Sequence, residues 1–132
     1  MRESLGNKSE GCPFCDLPKD RILAQNELAF VIGDRFPVTP LHALVIPKRH
    51  VSGWFDLGPS ERNACNDLLL RAKDAIREED PSVAGFNVGV NIGEAAGQTI
   101  FHCHIHLIPR RHGDVENPRG GVRHVIPGKG NY

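Results

Sequence analysis

Three histidines stand at alternate positions in Phe101-His-Cys-His-Ile-His-Leu-Ile108, and every residue between them is apolar. Strict period-2 alternation predicts a half-buried strand. Successive strand side chains point to opposite faces, so His102, His104 and His106 share one face at a spacing of about 6.5–7 Å. Phe101, Cys103, Ile105 and Leu107 then lie beneath them. Three imidazoles in register admit three readings. The first is a polar sheet face. The second is a metal site, although alternate residues of one strand usually need a ligand from elsewhere. The third is nucleophilic catalysis. A neutral imidazole, with an ordinary pKa of about 6.5, can attack phosphorus without a separate base, while a neighbouring imidazole serves the leaving group.

The chain has 132 residues, enough for one domain with a real core. Its 16 basic and 16 acidic residues cancel, which argues against a general nucleic-acid-binding surface. No apolar run approaches the ~20 residues that span a bilayer. Residues 1–11 are charged and polar, with no apolar segment for secretion. The expected location is the cytoplasm, without membrane or nucleic-acid polymer as partner. Four cysteines fit that compartment and are too few for a disulfide scaffold. Cys65 and Cys103 read as small buried hydrophobes. Cys12-Pro-Phe-Cys15 has the spacing of half a zinc site; a redox pair or two plain thiols are the other readings.

Residues 28–33 and 42–46 read as strands separated by a loop at Pro37 and Pro40, with Pro47 ending the second ladder. Residues 59–79 read as a helix: Pro59 suits the first turn, and Cys65, Leu68, Leu69, Ala72 and Ile76 form one apolar stripe. Pro81 stops it at Asp80. In the strand at 86–92, Phe86, Val88, Val90 and Ile92 are expected inward. A short glycine-bearing turn at 93–97 then leads into the histidine strand as an antiparallel partner. The fold class is α+β, an antiparallel sheet of about five strands with a main helix packed on it. Residues 1–11 form a mobile leader, 12–110 the domain and 111–132 a Gly/Pro/Arg-rich arm. Residues 110–132 carry five basic and two acidic side chains, a local charge of +3. That arm reads as a solvated tail, or as a segment that packs at an interface or attracts polyanions. Lys48 and Arg49, beside His50, read as a solvated pair after the strand or as cations that face phosphate. His112 and His124 receive no role.

The stretch His102-Cys-His104-Ile-His106-Leu-Ile108 resembles the histidine-triad (HIT) family of nucleotide hydrolases and transferases, whose pattern is His-φ-His-φ-His-φ-φ with φ apolar. The lead-in Asn91-Ile-Gly-Glu-Ala-Ala-Gly-Gln-Thr-Ile-Phe-His102 and the segment His42-Ala-Leu-Val-Ile-Pro-Lys-Arg-His50 are similar to the family as well. The resemblance covers residues 12–110 and leans towards the dinucleoside-polyphosphate-hydrolase branch. Cys103 departs from the branched aliphatic residue usual there.

The resemblance implies a role for each matching position. His104 is the expected nucleophile on an α-phosphate, through a nucleotidyl-histidine intermediate, and His106 contacts the phosphate or leaving-group oxygen. Asn91 and Thr99 are expected on phosphate oxygens, with Gln98 in the same group, and Asp34 on the ribose hydroxyls. Cys12, Cys15, His50 and His102 are the expected ligands of a structural zinc ion that the chemistry does not require. A homodimer is also implied. Dinucleoside polyphosphates such as diadenosine tetraphosphate are the first expected substrates. The alternatives are purine nucleoside phosphoramidase activity, or a nucleotide-binding or zinc-scaffold module without catalysis.

Overall fold

A computed structural model describes residues 9–132, so most of the expected leader lies outside the described residues. Five strands form one antiparallel sheet: β1 (Ile22–Gln25), β2 (Ala29–Gly33), β3 (Ala43–Pro47), β4 (Val83–Gly89) and β5 (Ile105–Arg111). Their spatial order is β1-β2-β3-β5-β4. One long helix, α1 (Pro59–Glu79), packs across β2 and β3. No helix among the described residues is long and apolar enough to cross a membrane.

Helix α1 begins and ends where its sequence signals predict. Pro59 sits in the first turn, where its missing N–H costs nothing. The Gly58 N–H donates to Glu61 Oε1 at 2.9 Å, and Asp80 caps the far end just before Pro81. Cys65, Leu68 and Ile76 are buried, with Leu69 and Ala72 packed beside them. Burial pushes the thiols of Cys65 and Cys103 up to about 12, so both stay protonated and apolar in character.

Arg49 corrects the expectation of a solvated pair. Its Nε and Nη2 donate to Glu61 Oε2 and Oε1, both at 2.8 Å, and Nη2 also reaches the Asp56 carbonyl at 3.1 Å. These bonds hold the Glu61 carboxyl below the usual carboxylate range. They tie the chain leaving β3 to the start of α1.

The sheet is covered on both faces at its centre. Ala29, Val31, Ala43 and Val45 face α1, together with Cys103, Ile105 and Leu107. Phe30, Ile32, Leu44 and Ile46 face the other way and are covered by Phe14 and Leu17 of the N-terminal segment. That second layer explains why β2 and β3 read as near-continuous apolar runs rather than alternating ones.

Four expectations change. The histidine strand starts at Ile105 rather than Phe101, so only His106 stands in the ladder, opposite Leu44 of β3 and Gly89 of β4. Phe101, outside the strand, is 47% exposed instead of buried. Val88 is 50% exposed, because β4 is the edge strand and α1 covers β2 and β3 rather than this flank. β4 ends at Gly89, and residues 90–104 make a long excursion in place of a tight hairpin.

Truncation of a core position separates the two sides of α1. Leu68→Ala is expected to cost about 2–5 kcal/mol of unfolding free energy. Leu70→Ala, at a residue 49% exposed, should stay within about 0.5 kcal/mol of the parent in the same urea melts.

Candidate active site and zinc site

His102 is fully buried, and its Nε2 lies 2.8 Å from the Pro47 carbonyl at the end of β3. A carbonyl only accepts, so Nε2 carries the proton and Nδ1 keeps its lone pair. Burial pushes the ring down to about 4, which keeps it neutral near pH 7. Its Nδ1 faces Cys12 Sγ at 3.5 Å, Cys15 Sγ at 3.6 Å and His50 Nδ1 at 3.1 Å. Cys15 Sγ lies 3.3 Å from His50 Nδ1, and the four donor atoms all fall within 4.8 Å of one another. A tetrahedral zinc ion with nitrogen and sulfur ligands has ligand–ligand edges of about 3.3–3.8 Å. The residues present fit that ion in number, type and spacing. The turn carrying both cysteines is closed by Cys12 N–H to Ser9 O at 3.1 Å and Cys15 N–H to Cys12 O at 3.2 Å. The Ser9 N–H donates to Cys15 Sγ at 3.3 Å.

His104 makes the opposite choice of ring nitrogen. Its Nδ1 lies 2.8 Å from the His102 carbonyl, so Nδ1 carries the proton and Nε2 keeps a lone pair in the neutral ring. The buried Phe14 ring packs edge-on 5.1 Å from it. His104 lines a cavity of about 550 Å³ between the N-terminal segment, β2 and residues 97–100. Apolar Phe14, Leu17, Ile32 and Leu44 wall one side, while Asp34, Asn91, Thr99 and His106 bring polar groups.

His106 depends on His42, which heads a segment similar to the family but received no role from the sequence. The Val38 N–H donates to His42 Nδ1 at 3.1 Å, which leaves the proton of the neutral ring on Nε2. His42 Nε2 lies 3.0 Å from His106 Nδ1, so His42 donates and His106 carries its own proton on Nε2. Asp34 Oδ2 is 3.4 Å from His42 Nε2 and 4.0 Å from His106 Nδ1. Burial is the main reason that both His42 and His106 are pushed below the ordinary histidine value, and Asp34 opposes it in each case.

Reaching this position strains the chain. Leu41 has φ +71°, a left-handed conformation that costs a branched residue roughly 1–2 kcal/mol. The turn is held by His42 N–H to Thr39 O at 3.2 Å and by the Thr39 hydroxyl to Pro109 O at 2.8 Å.

The remaining expected residues fall in the same place. Asn91, Thr99 and Asp34 all line the cavity. Asp34 Oδ1 also accepts from the Phe36 N–H at 2.8 Å, fixing the turn after β2. Gln98 lines the cavity too, but its amide is taken up by backbone. Nε2 donates to Ser52 O at 2.7 Å and Ile100 O at 3.1 Å, and Oε1 accepts from Gly93 N–H at 2.8 Å. In this structure it holds the 93–100 loop in shape. Phe14, like His42, carries no signal by itself. The hint for His42 is a histidine heading a strand that is buried on both faces.

Comparison with known proteins agrees with this arrangement. The HIT domain model matches residues 18–113. The bis(5'-adenosyl)-triphosphatase of Dictyostelium discoideum is 39% identical over 75% of this chain and 66% of its own length. The AP-4-A phosphorylase of Mycobacterium tuberculosis is 31% identical over 86% of this chain and 61% of its own. A solved zinc-bound histidine triad family protein from Mycobacterium smegmatis superposes with a TM-score of 0.70 at 37% identity, covering 79% of this chain and 78% of that one. With the family pattern running through the five-stranded sheet and the row of imidazoles, the chain belongs to the HIT domain family.

Proposed function

We propose that the protein cleaves nucleotide conjugates at the α-phosphate through a covalent nucleotidyl intermediate on His104. The observation that carries this reading is the division of protons among neighbouring rings. His104 directs its proton to the His102 carbonyl and offers Nε2 as nucleophile; His106 takes a hydrogen bond from His42 and offers Nε2–H as donor. The nucleoside occupies the apolar side of the large cavity, with Asp34 on the ribose hydroxyls and Asn91 and Thr99 on phosphate oxygens.

His104 Nε2 attacks phosphorus, and the bond to the leaving group breaks with its electron pair going to the leaving atom. The charge building there meets His106 Nε2–H. Water then attacks the intermediate, the phosphorus–nitrogen pair returns to His104, and a proton is released to solvent. Dinucleoside polyphosphates are the first substrates to test, given the names of the similar proteins. Phosphoramidate conjugates are the second, favoured by a cleft beyond His106 that no Asp, Glu, Lys or Arg among the described residues lines.

Cys12, Cys15, His50 and His102 would hold a structural zinc ion, supported by their spacing and by the zinc-bound neighbour. Bound there, it would fix the His102 ring and thereby the carbonyl that orients His104. A pair of thiolate ligands is best kept in a reducing compartment, which supports the cytoplasm. The outer edge of β4 is open for pairing with a second copy as a homodimer, which light scattering checks.

Three outcomes test the reading. His104→Ala should lower turnover of diadenosine polyphosphate by about three orders of magnitude or more and abolish an acid-labile labelled adduct in single turnover. Retained turnover refutes the mechanism.

Elemental analysis of protein purified with zinc should give one ion per chain. Cys12→Ser with Cys15→Ser should lose it and lower the thermal midpoint by more than about 5 °C. An unchanged midpoint and metal content would remove the zinc site.

His42 and His106 titrate below the ~6.5 of an unfolded histidine, so at lower pH the unfolded chain binds protons that the fold refuses. Stability is full above about pH 6.5 and falls as pH drops towards the folded values. His42→Gln should flatten that fall by up to about 1.4 kcal/mol per pH unit in urea melts. It should also slow turnover without weakening nucleoside monophosphate binding. Identical slopes for the parent and the variant would deny His42 its buried neutral state.

A further inference from the structure

Two charged side chains that line the nucleotide cavity, Asp16 and Arg35, have no partner among the described residues. The other two, Arg21 and Asp34, are engaged. Arg21 Nη2 donates to Gly33 O at 3.1 Å. Asp34 accepts from the Phe36 N–H at 2.8 Å and lies 3.4 Å from His42 Nε2. Asp16 and Arg35 are both exposed, on the open side of the cavity.

Each is carried by a fixed piece of backbone. Asp16 stands between the Cys12–Cys15 turn, closed by Cys15 N–H to Cys12 O at 3.2 Å, and Leu17, which packs with Phe14 on β2 and β3. Arg35 is the central residue of the turn that Asp34 Oδ1 closes on the Phe36 N–H. The carboxylate and the guanidinium therefore come from different walls, the N-terminal segment and the loop after β2.

With phosphate at His104 and His106 and the ribose at Asp34, the base falls in the remaining part of the cavity, walled by Phe14, Leu17, Ile32 and Leu44. Those walls offer a planar ring apolar contact and no hydrogen bond. The polar edges of the base are left to the rim, where Asp16 and Arg35 stand.

We infer that Asp16 and Arg35 read the edges of the base and make guanine the preferred nucleobase. The inference rests on the nucleotide placement proposed for cleavage at His104. Guanine presents O6 and N7 as adjacent acceptors, which suit the forked guanidinium of Arg35. It presents N1–H and the 2-amino group as adjacent donors, which suit the carboxylate of Asp16. Adenine mispairs on both sides: its 6-amino group meets the guanidinium donors, and its N1 lone pair meets the carboxylate. A good bidentate pair separates bases by roughly tenfold. Adenine nucleotides remain substrates, more slowly turned over, because the phosphate end does not read the base.

The test uses the full chain with diguanosine and diadenosine tetraphosphates. The kcat/KM of the parent should be higher for the guanine substrate by about fivefold or more. Asp16→Ala and Arg35→Leu should each lower that ratio by about threefold or more. Two analogues remove the bonds from the ligand side and leave the protein intact. Inosine monophosphate lacks the 2-amino group, and 7-deazaguanosine monophosphate lacks N7. Each should bind the parent more weakly than guanosine monophosphate by about threefold or more, and the inosine penalty should vanish in Asp16→Ala and the 7-deaza penalty in Arg35→Leu. A parent ratio below fivefold, or analogue penalties that persist unchanged in the variants, overturns the base reading while the His104 mechanism stands. If neither tetraphosphate is turned over, the His104 mechanism falls, and the dissociation constants of guanosine and adenosine monophosphates decide the base reading at the same fivefold threshold.

Discussion

The imidazole of His102 sits where three parts of the molecule meet. Its Nε2–H is fixed on the last carbonyl of β3, its Nδ1 faces the Cys12–Cys15 turn and His50, and its own backbone carbonyl receives the proton of His104. The central strand, the N-terminal segment and the nucleophile are thus linked through one side chain that is completely buried. A buried polar network of this kind is stable only when every member has a partner. Removing His102 would leave the Pro47 carbonyl without its donor and loosen the segment that carries Phe14 against the cavity.

His42, His102 and His106 stay neutral for a reason that also suits their chemistry. Burial holds His42, His102 and His106 below the ordinary histidine range. A charged imidazole has no lone pair to share with a metal or with a hydrogen-bond donor. The same exclusion of water that forms the cavity therefore preserves the pattern of donors and acceptors within it. The Pro47 carbonyl works against this at His102, and Asp34 does so at His42 and His106, which it approaches from the cavity side, where a ribose would compete for the carboxylate.

The sequence made some of this legible and concealed the rest for physical reasons. The helix at 59–79 was readable to its ends because proline, the Glu61 side chain and a long apolar stripe are local signals. The two apolar strands and the partition of Cys103, Ile105 and Leu107 from the histidines were readable from short-range pattern. The resemblance gathered Cys12, Cys15, His50 and His102, which the structure brings together across 90 residues. His42 escaped because its meaning depends on register: only the pairing of Leu44 with His106 places it beside the last ring of the row. Arg49 escaped for the same kind of reason, since its partner Glu61 lies on a different element. The exposure of Val88 follows from sheet order, which alternation does not encode. The arm looked like a solvated tail because its order comes from glycines packed against His124 and from arginines over a terminal tyrosine.

The most instructive mismatch is the late start of β5. Alternation predicts a strand from Phe101, and a strand would direct the His102 carbonyl into a ladder bond with a neighbour. The ladder instead begins at Ile105, opposite Val45, while the Cys103 N–H is held by Val51 O at 2.7 Å. The freed His102 carbonyl accepts the His104 proton, so the middle ring keeps its Nε2 lone pair. His106, already in the ladder, has no such carbonyl and takes its hydrogen bond from His42. His102 and His106 thus carry the proton on Nε2 and His104 carries it on Nδ1, because the irregular backbone before β5 leaves the His102 carbonyl within reach of the middle ring. Local regularity is given up at the point where the chemistry needs unequal rings.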